Sequence, residues 1–503
     1  MILLENGRVY RFDPASRRFT RYTNLLIDGA RIAALDADVS GLSVRRINLG
    51  GRTVLPAFTD CHVHLAETGY HTGARSLRDV RSYAEYRRAV ENAPVEHGML
   101  YLGLYDDSLW PDGSADRTPV EQHHPDAIAM VVRIDGHSCI VNRKTMAWLD
   151  IPADLNGIEL DDAGEPTGRL FYDANWRAQT TLLERMPIDV VRGAERRGAE
   201  FALANGIVHL HAQLLGRDAD GYAADIESLR ALPVNVHPKI CEPDPLLALR
   251  FNLPYIGGDV FLDGSIGSCT AAVSEPFANG STGELRYSDD QVYDYFSTAE
   301  AHGISAGVHA IGDEAIDQCV RTWMRVLDGK PSPRGTRHFI EHFEIAREEH
   351  IRLCAAMGIH LSMQPQFDAY WGADGGMYES RLGLERKRTM NALGRLHRAG
   401  ATLCGGSDSP VCVFDALAGM QACVDHNEPV ERLGAHDALA LYTVNAARFG
   451  FAETETGNLE PGLHADLAIL DDDPLDGAPF DRCTVVETWR SGERVFNEAT
   501  RPS

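Results

Sequence analysis

Eight short apolar runs, each closing on polar residues and separated by stretches long enough for a helix, set the strongest limit on what this chain can fold into. They are Thr53–Phe58, Gly206–His211, Val234–His237, Asp259–Asp263, Ser305–His309, His338–His342, Ile359–Met363 and Ala401–Asp408. Near-continuous apolar runs of this length suit strands buried on both faces, as in a parallel sheet covered by helices. Eight is the strand number of a (β/α)8 barrel, a fold whose chemistry sits at the C-terminal strand ends. Histidines and acids fall at those ends here.

Outside these runs the pattern changes. Residues 1–55 alternate apolar residues with turn residues, Leu3-Leu4 before Asn6-Gly7 and Leu25-Leu26-Ile27 before Asp28-Gly29, which predicts hairpins. The C-terminal segments Ala465–Leu470 and Val485–Trp489 have the same character. Two strand-like chain ends can build one shared sheet. Residues 70–179 lack the strand-helix rhythm, contain Trp110, Trp148 and Trp176, and read as an insertion over the barrel mouth.

The 503 residues carry 48 Lys plus Arg against 73 Asp plus Glu, a formal charge of −25. That balance excludes a basic nucleic-acid groove spread over the chain, because phosphate binding needs cationic side chains to displace counterions. Hydrophobic residues at 44 % leave ample material for a large core. The start, Met1-Ile2-Leu3-Leu4-Glu5, lacks the positive region of a signal peptide, and no run reaches the roughly 18 apolar residues of a membrane span. The ten cysteines form no Cys-x-x-Cys pair, so free thiols in a reducing cytoplasm are expected. The expected partner is a small-molecule substrate, with neither nucleic acid nor membrane, and a homodimer is the default assembly. Only four lysines occur: Lys144, Lys239, Lys330 and Lys387.

Four motifs put candidate metal ligands at predicted strand ends. Asp60-Cys61-His62-Val63-His64 follows the first run. On an extended segment residues i and i+2 point to the same side, so both imidazoles reach one cation. Val308-His309 ends the fifth run, Glu341-His342 the sixth, and Gly406-Ser407-Asp408-Ser409-Pro410 the eighth. Each alone has an ordinary explanation, a core histidine satisfying a hydrogen bond or an aspartate capping a helix. Four coincidences at matching strand ends leave little room for it.

The order His-x-His, His, His, Asp on strands one, five, six and eight resembles the metal-dependent amidohydrolase superfamily. The segments Val54–His64, Asp263-Gly264-Ser265-Ile266-Gly267-Ser268, His309–Asp313 and Gly406–Val411 are similar to the branch containing N-substituted formamide deformylases, and Tyr442–Ala447 through Leu459–Leu467 extend the likeness over nearly the whole chain. The resemblance implies an α/β protein. Its parts would be a β-sandwich from residues 1–55 plus 455–503, a (β/α)8 TIM barrel from 56–69 plus 180–454, and an insertion subdomain from 70–179. It also assigns His62, His64, His309 and His342 as metal ligands and Asp408 as both ligand and proton shuttle. The implied activity is hydrolysis of a non-peptide C–N bond, an amide or N-formyl group, by a metal-activated water. Imidazoles and a carboxylate suit zinc, while iron, manganese and nickel stay open, as does the number of ions, one or two.

The chain departs from the family at one place. The branch carries a carboxylated Lys on strand four that bridges two metals, and here that position is Asp259. Four strand residues span roughly 13 Å, so Asp259 is expected to lie below the mouth, too short and too deep to bridge. Three readings follow: a mononuclear site, a shifted carboxylate such as Asp263, or a carbamate on Lys239 at the end of strand three.

Further residues complete the expectations. His137, in Asp135-Gly136-His137-Ser138, resembles a family segment facing the active site, and Trp176, His211 and Gln364 are candidate substrate contacts. A deaminase of a cyclic amidine is an alternative; such relatives typically carry Glu three residues after the strand-five histidine, where this chain has Gly312. A degenerate barrel acting as a binding protein is another alternative.

Overall fold

The computed structural model describes residues 1–152 and 154–500 as a mixed α/β protein. Eight parallel strands run through its centre: β1 (Phe58–Val63), β2 (Ile207–Leu214), β3 (Asn235–Ile240), β4 (Tyr255–Phe261), β5 (Ser305–Ala310), β6 (Phe339–His342), β7 (His360–Met363) and β8 (Thr402–Gly405). They form two sheets, in the orders β3-β2-β1 and β4-β5-β6-β7-β8. The sheets meet just beyond β1 and β8, where Asp408 N donates to His62 O and His64 N donates to Ser409 O, both at 2.8 Å. Every residue of β1, β4, β5, β6 and β7 is buried, which is why these strands read as unbroken apolar runs instead of alternating ones.

Between strands, helices bury one stripe. In the helix Asp313–Leu327 the buried Ile316, Cys319, Val320, Trp323 and Leu327 recur at helical spacing and form one apolar face. The helix Asp289–His302 starts on a capping box made by Ser288 and Gln291 and stops at Gly303, whose φ of 70° a residue with a side chain rarely adopts.

Two strands begin four or more residues from where their apolar runs begin. The run Thr53–Phe58 splits between two sheets: Thr53–Pro56 pairs with Leu467–Leu470 and Arg8–Asp13, and only from Phe58 does the chain join β2. One apolar run thus serves two cores, a division that periodicity does not mark. β4 begins at Tyr255, four residues before its run.

The two chain ends share a six-stranded sheet, in the order Glu493–Asn497, Val485–Arg490, Leu467–Leu470, Thr53–Pro56, Arg8–Asp13, Arg18–Tyr22. A four-stranded sheet of N-terminal strands shares an apolar cluster with it, including Leu4, Ile27, Val54, Leu467 and Trp489. Asp28-Gly29 closes a hairpin as expected, whereas Asn6-Gly7 carries the chain from one sheet to the other. Five further strands between Met99 and Phe171 make a separate sheet. Among the described residues no helix is long and apolar enough to cross a membrane.

Candidate metal centre

The C-terminal ends of β1, β5, β6 and β8 bring His62, His64, His309, His342 and Asp408 together, and all but His62 line a cavity. Three of the four rings have a polar partner behind them. His309 Nε2–H donates to Gly264 O at 3.1 Å, leaving Nδ1 toward the cluster. His342 Nδ1–H donates to Gln364 Oε1 at 2.8 Å. His62 Nδ1 lies 2.9 Å from Glu341 Oε2. Outer partners of this kind fix the tautomer and orientation of a ligating imidazole. Asp60 braces the backbone: its Oδ1 accepts from His62 N at 3.0 Å and from Ser407 N at 3.1 Å, and burial pushes its carboxyl up to about 6. His342 and Asp408 have φ of 72° and 53°, left-handed conformations that cost about 1–3 kcal/mol each and are held by their surroundings.

Asp259 stands at the centre. Its Oδ2 is 3.3 Å from both His62 Nε2 and His64 Nε2, and Asp408 Oδ1 is 3.2 Å from the same two nitrogens. His62, His64 and Asp408 offer ligand atoms that all lie within 4.8 Å of one another, and so do His62, Asp259 and His342, so each trio can hold a cation. The other oxygen, Asp259 Oδ1, faces His309 Nδ1 at 3.8 Å and His342 Nε2 at 3.9 Å. The carboxylate therefore spans two histidine pairs. Its oxygens, His62 Nε2, His309 Nδ1 and Asp408 Oδ1 are buried without a hydrogen-bond partner. Burial works against charge on Asp259 and Asp408, but the facing imidazoles outweigh it and hold both carboxyls well below the usual range. Partnerless nitrogens and ionised oxygens converging on one point are what a divalent cation requires, and the donor set fits it.

The expectation that Asp259 lies too deep is therefore overturned. Gly257 and Gly258 have φ of 86° and 120°, and the pairing of β4 with β5 slips between Gly257 and Phe261. This bulge pushes the backbone inward and makes up for the short side chain. Asp263 is occupied otherwise: it accepts from Ala272 N, Ile311 N and Gly312 N at 2.9, 3.1 and 2.8 Å. Lys239 is not in the cluster either. Its Nζ donates to Glu341 Oε1 at 2.5 Å and Cys61 O at 3.2 Å, between the rings of Phe339 and Phe449. A Cβ on Gly257 would lie 2.1 Å from Gly307 O, so Gly257→Ala must flatten the bulge. Metal content measured on the purified variant is expected to fall by more than half, with a stability loss above about 1 kcal/mol; wild-type metal content would refute the role of the bulge.

Of the candidate substrate contacts, His137 and Trp176 line the cavity. The other two are placed differently. His211 is buried lower in β2, stacked on His237 and Phe449, because its strand position points into the layer beneath the site. Gln364 stands behind His342, its amide oxygen taken by the ring. The residues that sequence reasoning passed over are Glu341 and Asp60, each next to or two residues from a named histidine. An acid alternating with a ligand on a buried strand is the signal that could have found them.

The amidohydrolase family profile matches residues 45–496. The chain is 26% identical to the putative amidohydrolase YtcJ of Bacillus subtilis over 90% of each protein. It is 25% identical to the N-substituted formamide deformylase of Arthrobacter pascens, covering 90% of this chain and 91% of that protein. The fold resembles that of an uncharacterized metal-dependent hydrolase from Pyrococcus horikoshii, with TM-score 0.75 and 22% identity over 95% of this chain and 99% of that one.

Proposed function

Because this chain belongs to the amidohydrolase family, and is a metal-binding hydrolase on that ground, we propose that it cleaves a non-peptide C–N bond, in an amide or N-formyl group. The observation that carries the reading is the convergence of four histidines with Asp259 and Asp408 beside a cavity that all of them but His62 line. When bound, a divalent cation, zinc in this reading, lowers the pKa of a coordinated water and polarises the scissile carbonyl. His62, His64, His309 and His342 hold it, with Asp259 and Asp408.

Asp408 reaches both the cluster and the cavity. Its carboxylate takes a proton from the attacking water as the new C–O bond forms. It then delivers that proton to the leaving nitrogen as the C–N bond breaks, so that an acid and an amine depart. Deamination is the poorer reading. The position where a deaminase would need Glu is Gly312, and a Cβ there would lie 1.9 Å from Ala272 O.

In this reading the two parallel sheets are parts of one closed (β/α)8 barrel formed by residues 56–69 and 180–454. Residues 1–55 and 455–503 form a β-sandwich, and 70–179 cover the mouth. The shared apolar cluster of the terminal sheets supports the second part.

A screen of N-formyl, N-acyl and cyclic amides with zinc-reconstituted enzyme tests the function. Release of ammonia from cyclic amidines with no amide hydrolysis would sink it. Removing metal with a chelator is expected to cut turnover at least 100-fold, roughly the loss that follows from removing Lewis-acid activation, and zinc should restore it. The same titration gives the stoichiometry, and two equivalents per chain would match the spanning carboxylate of Asp259.

A further inference from the structure

Beyond the cluster, the cavity holds no cation free to meet a substrate. Among the described residues that line it, Arg133 is the one Lys or Arg. Its buried guanidinium is already committed to Asp135 Oδ2 at 2.5 Å, Asp106 Oδ1 at 2.8 Å and Asp107 Oδ1 at 3.4 Å. Three carboxylates around one guanidinium leave that wall net negative.

Four of the neutral donors are committed too. Gln179 Nε2 donates to Gly136 O at 2.7 Å, Ser265 Oγ to Asp135 Oδ2 at 2.8 Å, Trp371 Nε1 to Asp106 Oδ2 at 2.9 Å, and Tyr378 OH to Glu344 Oε2 at 2.5 Å. Glu67 and Glu344 add further acidic groups to the lining. His71 brings no counter-charge, since burial takes its imidazole down to about 3. Besides the side chains of Tyr101 and His137, what remains is largely apolar: Trp176 stacked on Phe261 with centroids 4.0 Å apart, with Leu183, Ile311 and Phe367.

We propose that this cavity selects amides whose substituent is an uncharged aryl or alkyl group and rejects those bearing a carboxylate, such as N-formyl or N-acyl amino acids. The inference rests on the C–N hydrolase reading for its chemistry but on the lining alone for its charge preference. Apolar burial rewards the aryl group. A carboxylate would lose its hydration with no free Lys or Arg to pair it, next to the carboxylates that surround Arg133.

The test compares N-phenethylformamide with N-formylphenylalanine, which share the scissile group and the phenyl ring and differ by one carboxylate. With zinc-loaded enzyme, kcat/KM is expected to favour the neutral compound by about 100-fold, the order of an unpaired buried charge. Equal values, or preference for the acid, overturn the inference. If neither is hydrolysed, the C–N reading fails, and calorimetric titration of the same two compounds still reads the charge preference. Tighter binding of the neutral one by at least about tenfold supports it; equal binding, tighter binding of the acid, or binding of neither overturns it. A gain-of-function arm uses the half-buried Leu183. Leu183→Arg is expected to shift the ratio of kcat/KM, or of affinity, toward N-formylphenylalanine over N-phenethylformamide by at least about tenfold, as a new counter-charge should. A folded variant with no such shift counts against the inference.

Discussion

Asp408→Asn is expected to keep its metal and lose about three orders of magnitude in kcat, within the range that a positioned acid-base group supplies. The amide has the shape of the carboxylate, so an oxygen can still face His62 Nε2 and His64 Nε2, each 3.2 Å away in the wild type. Asp259 and the four histidines still surround the cation. What is lost is basicity: an amide cannot take a proton from water and return it to nitrogen. Metal analysis and kcat on the same preparation check the two halves. Undiminished turnover would remove Asp408 from the proton path; loss of metal together with turnover would make it chiefly a ligand.

Lys239→Met carries the second large effect, on stability. Lys239 on β3 and Glu341 on β6 form a buried ion pair, both side chains at most 1 % exposed. Burial alone would raise the Glu341 carboxyl, but Lys239 and His62 outweigh it and keep the group ionised. Removing one partner strands the other charge beneath the metal site, which costs about 3–5 kcal/mol. Denaturant unfolding should show that loss. The double variant Lys239→Met with Glu341→Gln, which removes both charges, should recover most of it. A single variant as stable as the wild type would mean that the pair is not coupled as its 2.5 Å contact indicates.

How far the site was legible follows from where its information lies. His62, His64, His309, His342 and Asp408 follow apolar runs, so strand pattern and side-chain direction are enough to find them. Asp259 was placed wrongly because strand geometry assumes a regular rise. Gly257-Gly258 breaks it, and two adjacent glycines in a buried strand were the available warning. Gln364 and His211 were located on the right strands, but which layer a side chain reaches depends on neighbouring strands. The cavity wall was the least legible part, since Arg133 and its three carboxylates come together only through folding of the segment between β1 and β2.

The scarcity of lysine narrowed the question of what stands at the fourth strand, and the fold answered it. By itself the sequence pointed to an α/β fold and set candidate histidines and an aspartate at strand ends, because these depend on local periodicity, and the family resemblance supplied the roles proposed for them. Only the tertiary structure decided that Asp259 lies between the two histidine pairs, that Lys239 neutralises Glu341, and that the cavity offers no free positive charge. Each of these is a distance between residues far apart in the chain, set by a bulge, a buried charge or a packed wall that no single segment encodes.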